Sequence, residues 1–137
     1  ATGGLTTNYE GKAAAAAKAL LQDGNDFVYI HVEAPDEMGH QGILEHKVQA
    51  IENLDRRVIQ PLYEALRASG EAFRLLIMPD HPTPLRLRTH TSDPVPYLLY
   101  DSTKTLGKGL LYSEETAQNS GIYIEKGYTL IDHLLNG

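Results

Sequence analysis

Five side chains of the types that bind metal ions stand at three places in the sequence. Asp36 and His40 flank a glycine, Asp80 and His81 are adjacent, and His90 follows a few residues later. Carboxylate and imidazole groups are ligands that divalent manganese, zinc or iron accepts. The chain has no cysteine, so it has no thiolate ligands. The residue types therefore predict a metal centre for hydrolysis or phosphoryl transfer in preference to a structural zinc site.

Three short apolar segments, at 27–32, 73–78 and 95–100, have the composition of β-strands. The first is a nearly unbroken apolar run, which predicts a strand covered on both faces. Ligands in α/β sheets lie beyond the carboxyl ends of the strands. Because the five candidate ligands follow the first two strands or precede the third, we expect them in three loops at one edge of a sheet.

Helices are predicted between and around these strands. A Thr-x-x-Glu capping box at 7–10 opens an alanine-rich helix that extends to Leu21. Apolar residues spaced by three and four predict a second helix over 44–66, with a kink at Pro61. An apolar stretch at 128–135 predicts a closing helix. This alternation predicts an α/β fold with a largely parallel sheet flanked by helices.

The composition limits the kind of protein. A chain of 137 residues with 42% hydrophobic content is the size of one domain or part of one. Its formal charge of −6 argues against a nucleic-acid partner. No apolar run approaches the roughly 20 residues that cross a bilayer, so we expect no membrane partner and a cytoplasmic location. The chain opens on Ala-Thr-Gly-Gly without methionine, and we expect it to be part of a longer polypeptide.

Other ionisable residues are weaker candidates. We expect His31 to lie in a strand, where it either packs on the sheet or supports a metal-bound histidine. His46 is predicted at the surface, and His133 has no neighbouring cluster of ligands. Glu33 and Glu37 either orient a bound histidine or face solvent, and solvent is favoured for Glu37.

Three segments together resemble a known family. The segments 33–42, 79–84 and 90–96 are similar, in order and spacing, to successive motifs of archaeal-type cofactor-independent phosphoglycerate mutases. These enzymes belong to the alkaline phosphatase superfamily. The resemblance implies that residues 1–137 are the carboxy-terminal part of a single phosphatase-like domain, with a two-metal site at the carboxyl edge of its sheet.

The resemblance also implies roles for individual residues. Asp36, His40 and His90 match the ligands of one divalent ion, manganese or zinc. Asp80 and His81 match two ligands of a second. Lys12 resembles the family lysine that meets the substrate phosphate, and a cation near a helix start suits an anion. A solvated helix lysine is the alternative for Lys12.

The implied reaction is phosphoryl transfer through a serine, which interconverts 2- and 3-phosphoglycerate. The motifs that supply the nucleophilic serine and a metal-binding aspartate are absent, as is the inserted substrate-binding domain. We therefore expect a phosphorylated small molecule as the substrate of the whole enzyme and no mutase activity from this chain alone.

Several alternatives stay open on the sequence. Another enzyme of the superfamily, such as a phosphatase, a phosphopentomutase or a phosphonate-processing enzyme, would use the same metal motifs. Two histidines and one carboxylate are also the ligand set of non-haem iron oxygenases, but those enzymes normally use a β-barrel, whereas this chain alternates helix and strand and would leave Asp80 and His81 unexplained. A metal-binding module without catalytic activity is a further possibility. Strand edges left exposed would favour self-association.

Overall fold

The computed structural model describes residues 4–104 and 109–137, which divide into two compact units. The first, here called the helical unit, comprises residues 4–71 and 83–91. The second, the strand unit, comprises residues 72–82 together with the described residues from 92 onwards. No helix in the described ranges is long and apolar enough to cross a membrane.

Four α-helices and one π-helical turn form the helical unit. The predicted long helix begins at Leu44, as expected, but a π-helical turn interrupts it just before Pro61. Because proline has no N–H group, this turn lets the chain continue as a helix past Pro61. The elements are α1 (Tyr9–Leu21), α2 (Ala34–Gln41), α3 (Leu44–Leu54), the π turn (Asp55–Ile59) and α4 (Gln60–Ser69).

Helix α1 begins one residue later than its predicted capping box implies. The N-cap is Asn8, whose side-chain oxygen accepts a hydrogen bond from the Gly11 N–H at 2.9 Å. Thr7, the expected cap, is buried instead. The prediction of Thr7 as the cap is wrong because asparagine caps as well as threonine, and Asn8 is the residue that reaches an unpaired amide.

The core of the helical unit is built around Tyr9. Its ring is fully buried, and its hydroxyl donates a hydrogen bond to the Leu5 carbonyl at 3.2 Å. The guanidinium of Arg57 lies 4.7 Å from the ring centroid. Burial raises the pKa of the Tyr9 hydroxyl. Three buried alanines and two larger apolar residues complete this cluster, which comprises Ala13, Ala34, Met38, Ala50 and Val58 besides Tyr9.

The first predicted strand, 27–32, is in neither a helix nor a strand in the described structure. Ile30 and Val32 are partly buried against the core. Phe27 and Tyr29 are 46% and 74% exposed. The prediction that both faces of this segment are covered is therefore wrong. Its side chains alternate between a packed face and an exposed face, as those of a strand covered on one side do.

The strand unit contains one two-stranded sheet. Strands β1 (Arg74–Ile77) and β2 (Leu98–Asp101) pair antiparallel, with Arg74 opposite Asp101 and Ile77 opposite Leu98. Helix α5 (Glu114–Asn119), a 3₁₀ turn (Gly127–Thr129) and helix α6 (Leu130–Asn136) follow. The second and third predicted strands and the closing helix are thus present, with ends shifted by a few residues.

The predicted largely parallel sheet is not formed by the described residues. Parallel neighbours need a crossover connection, which is usually a helix. Between β1 and β2 the described chain forms no helix and only a short turn at 85–88. The second strand therefore returns antiparallel to the first. The prediction of one domain over residues 1–137 stays a prediction.

A network of polar contacts links β1, β2 and α6. The Arg74 Nε donates to an oxygen of Asp101 at 3.0 Å, and one Arg74 Nη donates to the carbonyls of Leu134 and Leu135. Asp101 also accepts the Thr103 hydroxyl at 2.6 Å and the Thr103 N–H at 2.9 Å. These Thr103 donors, followed by Arg74, hold the pKa of the Asp101 carboxyl well below its usual range.

Candidate metal centre

Helix α2 places two of the candidate ligands on one helix face. Pro35 stands in its first turn, where proline is favoured, and Gly42 ends it with a left-handed backbone at φ 72°. Asp36 and His40 are four residues apart in this helix, so their side chains point the same way. The predicted loop at this position is wrong. Pro35 and Gly42 are the sequence signals that could have revealed the helix.

His90 joins Asp36 and His40 in a compact cluster. The His90 Nε2 lies 3.2 Å from Asp36 Oδ1, and the His40 Nε2 lies 3.4 Å from Asp36 Oδ2. The two histidine Nε2 atoms are 3.2 Å apart. Ligands about 2.0–2.1 Å from a tetrahedral metal ion stand roughly 3.3 Å from one another. The two histidine atoms have this separation, and each lies at a similar distance from one of the two Asp36 oxygens, so the group could hold a metal ion.

A backbone contact selects the tautomer of the neutral His40 ring. The His40 Nδ1 lies 2.8 Å from the carbonyl oxygen of Arg88. Because a carbonyl only accepts hydrogen bonds, Nδ1 carries the proton, and in the neutral ring the lone pair is on Nε2. That lone pair faces the other two ligands. Arg88 presents its carbonyl from a left-handed backbone, which is uncommon outside glycine.

The cluster is open to solvent on one side. The side chains of Asp36, His40 and His90 are 34%, 43% and 51% exposed. Structural metal sites are closed, whereas catalytic sites keep a coordination position for water or substrate. Among the described residues, Asp36, His40 and His90 form a group of three potential ligands whose geometry suits a metal ion. It therefore fits a catalytic ion better than a structural one.

Asp80 and His81 lie directly after β1, in the strand unit. The two residues contact each other, since Asp80 Oδ1 accepts the His81 N–H at 3.1 Å and Asp80 Oδ2 lies 3.5 Å from His81 Nε2. In the described parts of the chain they belong to no group of three potential ligands. Their assignment to a second ion stays a prediction.

Lys12 lies near the start of α1 and is half-buried. Its Nζ donates to the His31 carbonyl at 3.2 Å. The His31 ring stacks on Tyr29 and lies 3.8 Å from Glu33. This places Lys12 beside the segment that leads into α2. Its contact with a substrate phosphate stays a prediction, and so do the supporting roles considered for His31 and Glu33.

Two residues next to the cluster, Thr83 and Lys47, were not predicted from the sequence. The Thr83 hydroxyl donates to Asp36 Oδ1 at 2.5 Å, and Thr83 is buried. The Lys47 ammonium donates to the Thr83 carbonyl, also at 2.5 Å. Thr83 falls within the motif segment 79–84, and this position could have marked it as a candidate. No pattern in the sequence pointed to Lys47.

Comparison with known proteins agrees with the predicted resemblance. A family model described as "Metalloenzyme superfamily" matches residues 2–134. A probable 2,3-bisphosphoglycerate-independent phosphoglycerate mutase of Geobacter sulfurreducens is 48% identical over 99% of this chain and 34% of its own length. The corresponding mutase of Methanosarcina acetivorans is 46% identical over 98% of this chain and 34% of its own.

A solved structure has a similar fold. The structure of the PH0037 protein from Pyrococcus horikoshii superposes with a TM-score of 0.85 at 28% identity, over 99% of this chain and 40% of that one. The chain spans about a third of the length of the curated relatives it matches. The predicted relationship to cofactor-independent phosphoglycerate mutases is confirmed.

Proposed function

The chain belongs to the Metalloenzyme superfamily, and from that premise we propose that it is the metal-binding part of a 2,3-bisphosphoglycerate-independent phosphoglycerate mutase. The observation that carries the proposal is the open cluster of Asp36, His40 and His90, whose atoms have the separations of metal ligands. Relatives that bear this mutase name match almost the whole chain. The whole enzyme would interconvert 2- and 3-phosphoglycerate.

The residues of the cluster fit a divalent ion, for which we propose manganese or zinc. Such an ion, when bound, supplies Lewis-acid stabilisation of charge on phosphoryl oxygens. The protein's own part is to present one carboxylate and the His40 lone pair in a fixed arrangement. We propose Asp80 and His81 as ligands of a second ion in the whole enzyme, and Lys12 as the cation that binds the substrate phosphate.

The serines of this chain support the proposal that the nucleophile lies elsewhere. Ser69 and Ser120 donate to carbonyls at the ends of α4 and α5. Ser113 caps α5, and the Ser102 hydroxyl accepts the Phe73 N–H. Each of these hydroxyls thus makes a hydrogen bond with a backbone group. Ser92, the remaining serine, lacks the sequence context of a family nucleophile.

The whole enzyme would also contain the parallel sheet that the described residues do not form. We propose that residues 27–32 join that sheet, because the segment alternates between packed and exposed side chains and has no strand partner among the described residues. The same exposed segment would favour self-association of the chain by itself. A cytoplasmic location belongs to the same proposal.

An activity assay tests the function. A polypeptide that joins this chain to the remaining two thirds of its relatives' length should convert 3-phosphoglycerate to 2-phosphoglycerate with manganese present. Activity should disappear with a chelator, and His40→Ala should lower kcat/KM by at least about 100-fold, as loss of a metal-site residue does. The matched control is His46→Ala, since His46 is exposed on α3. Turnover that survives both the chelator and His40→Ala would contradict the proposal.

The 137-residue chain by itself gives a second result. We expect it to bind metal but to show no mutase turnover under the same conditions. Interconversion of phosphoglycerates by the purified chain would overturn the assignment of the nucleophile to another part of the enzyme.

A further inference from the structure

Thr83 holds the carboxylate of Asp36 in place. Its side-chain hydroxyl donates to Asp36 Oδ1, and the residue is only 5% exposed. A free aspartate rotates about its last side-chain bond, so its two oxygens exchange places readily. A hydrogen bond from a buried hydroxyl to a carboxylate opposes this rotation. In this orientation the other oxygen, Oδ2, faces His40.

Lys47 holds Thr83 in turn. The half-buried Lys47 side chain extends from α3, and its ammonium donates to the Thr83 carbonyl at 2.5 Å. A hydrogen bond from a charged donor is roughly twice as strong as one between neutral groups. The backbone at residue 83 is thereby tied to a helix that packs against α2, which carries Asp36 and His40.

Gly39 makes the close approach of these groups possible. A Cβ atom at this position would lie 2.6 Å from the Thr83 carbonyl oxygen and 2.8 Å from the Lys47 Nζ. Atoms this close clash, so any side chain would push Thr83 and Lys47 away from α2. Gly39 stands between Asp36 and His40 in the sequence. The lack of a side chain at Gly39 therefore permits the contact between Thr83 and Lys47 and does not act on the ligands directly.

We propose that Thr83 and Lys47 are positioning residues that set the metal affinity of the cluster through the orientation of Asp36. The inference rests on the proposed metal centre. Hydrogen-bonded partners behind metal ligands typically change metal affinity by about 10- to 100-fold when they are removed. Thr83 reaches the ligand directly, so its removal should have the larger effect. Lys47 acts through Thr83 and should have the smaller one.

The test measures zinc affinity of the 137-residue chain by competition with a chromogenic chelator. Thr83→Val removes the hydroxyl at nearly constant shape and should weaken zinc binding by about 10- to 100-fold. Thr83→Ser restores the hydroxyl and should bind within about threefold of the wild type, given that the same hydrogen bond can form. Lys47→Met should weaken binding less than Thr83→Val. Lys18→Met is the matched control, because Lys18 pairs with Asp23 on the exposed side of α1.

The outcomes separate this inference from the proposed site. Wild-type affinity of Thr83→Val, together with lost binding in Asp36→Ala, would overturn the positioning role while the metal centre stands. Unchanged binding in Asp36→Ala would overturn the metal centre itself. Equal losses in Thr83→Val and Thr83→Ser would also overturn the role of the hydroxyl. If circular dichroism shows that Thr83→Val does not fold, Lys47→Met decides: weaker binding supports the proposal and wild-type affinity overturns it.

Discussion

The helical unit and the strand unit differ in how much apolar surface they bury. In the described residues, the buried apolar side chains lie in the helical unit, with the exceptions of Pro96 and Leu130. The strand unit instead exposes large apolar side chains, among them Leu111 at 83% and Tyr128 at 76%. Burial of apolar surface is the main stabilising contribution to a fold. The helical unit therefore has a core of its own, whereas polar contacts such as those of Arg74 and Asp101 hold the strand unit.

The helical unit also contains more of the candidate metal ligands than the strand unit does. Asp36, His40 and His90 all lie in the helical unit and contact one another. The strand unit supplies only Asp80 and His81. Because three protein ligands suffice for a catalytic ion and two seldom do, only the first set should retain a metal in this chain. Helix α2 carries Asp36 and His40 and also buries Ala34 and Met38 in the core, so loss of the core would displace these two candidate ligands.

The largest difference in stability should appear when a buried side chain of the helical unit is shortened. Leu66→Ala, at a buried position in α4, should lower the free energy of unfolding by about 2–5 kcal/mol because it leaves a cavity. Leu111→Ala, the control in the strand unit, should change it by less than about 0.5 kcal/mol because Leu111 is exposed. Guanidinium denaturation followed by circular dichroism measures both. Equal losses from the two variants would contradict the assignment of the core to the helical unit.

Metal affinity should separate the two ligand sets. His40→Ala should weaken manganese and zinc binding to the chain by at least about 100-fold, more than the loss of a supporting contact does. His81→Ala should leave binding within about twofold, because its pair of ligands rarely holds an ion alone. Isothermal titration of both variants provides the measurement. Equal losses would show that the strand unit shares the same ion.

The sequence led to the residues of the cluster more directly than to the elements that carry them. Residue type and spacing selected five candidate ligands, because ligand chemistry limits the choice to a few side chains, and the structure brings three of them, Asp36, His40 and His90, together. Their role as ligands of one ion stays a prediction. The helix that carries the first two was missed, since its eight residues are too short for a clear apolar period. Lys47 could not be found at all. Its contact with Thr83 joins residues 36 positions apart, and only the folded chain brings them together.

The sheet shows a different limit of sequence analysis. Apolar runs correctly marked β1 and β2, but they carry no information about the direction of pairing. That direction follows from the connection, and the absence of a helix between the two strands in the described chain made them antiparallel. In the segment 27–32, packed and exposed side chains alternate as in a strand. It forms no strand hydrogen bonds with other described residues, because these require a neighbouring strand.

The polar network of the strand unit should give it a pH dependence of its own. The folded pKa of Asp101 is lowered, so its contribution to stability is fully present above the unfolded pKa, near 3.8, and is lost progressively as the pH falls from there through the lower folded pKa. Asp101→Asn should therefore lower the melting temperature more at pH 6 than at pH 3. Thermal melts of both proteins at the two pH values test this. The same difference at both values would mean that the Asp101 charge does not stabilise the fold.

The smallest effects should come from the helix caps, one in each unit. Asn8 caps the 13-residue helix α1, whose buried face belongs to the core, and Ser113 caps the six-residue helix α5, which buries no residue. Asn8→Ala should lower the free energy of unfolding by about 1 kcal/mol, the usual value of such a cap, because α1 unfolds only with the unit. Ser113→Ala should leave that value nearly unchanged and instead speed hydrogen exchange of the α5 amides, since a helix without a buried face opens locally. A global loss from Ser113→Ala as large as that from Asn8→Ala would show that α5 unfolds together with the core, and the contrast between the units would then be smaller than their burial indicates.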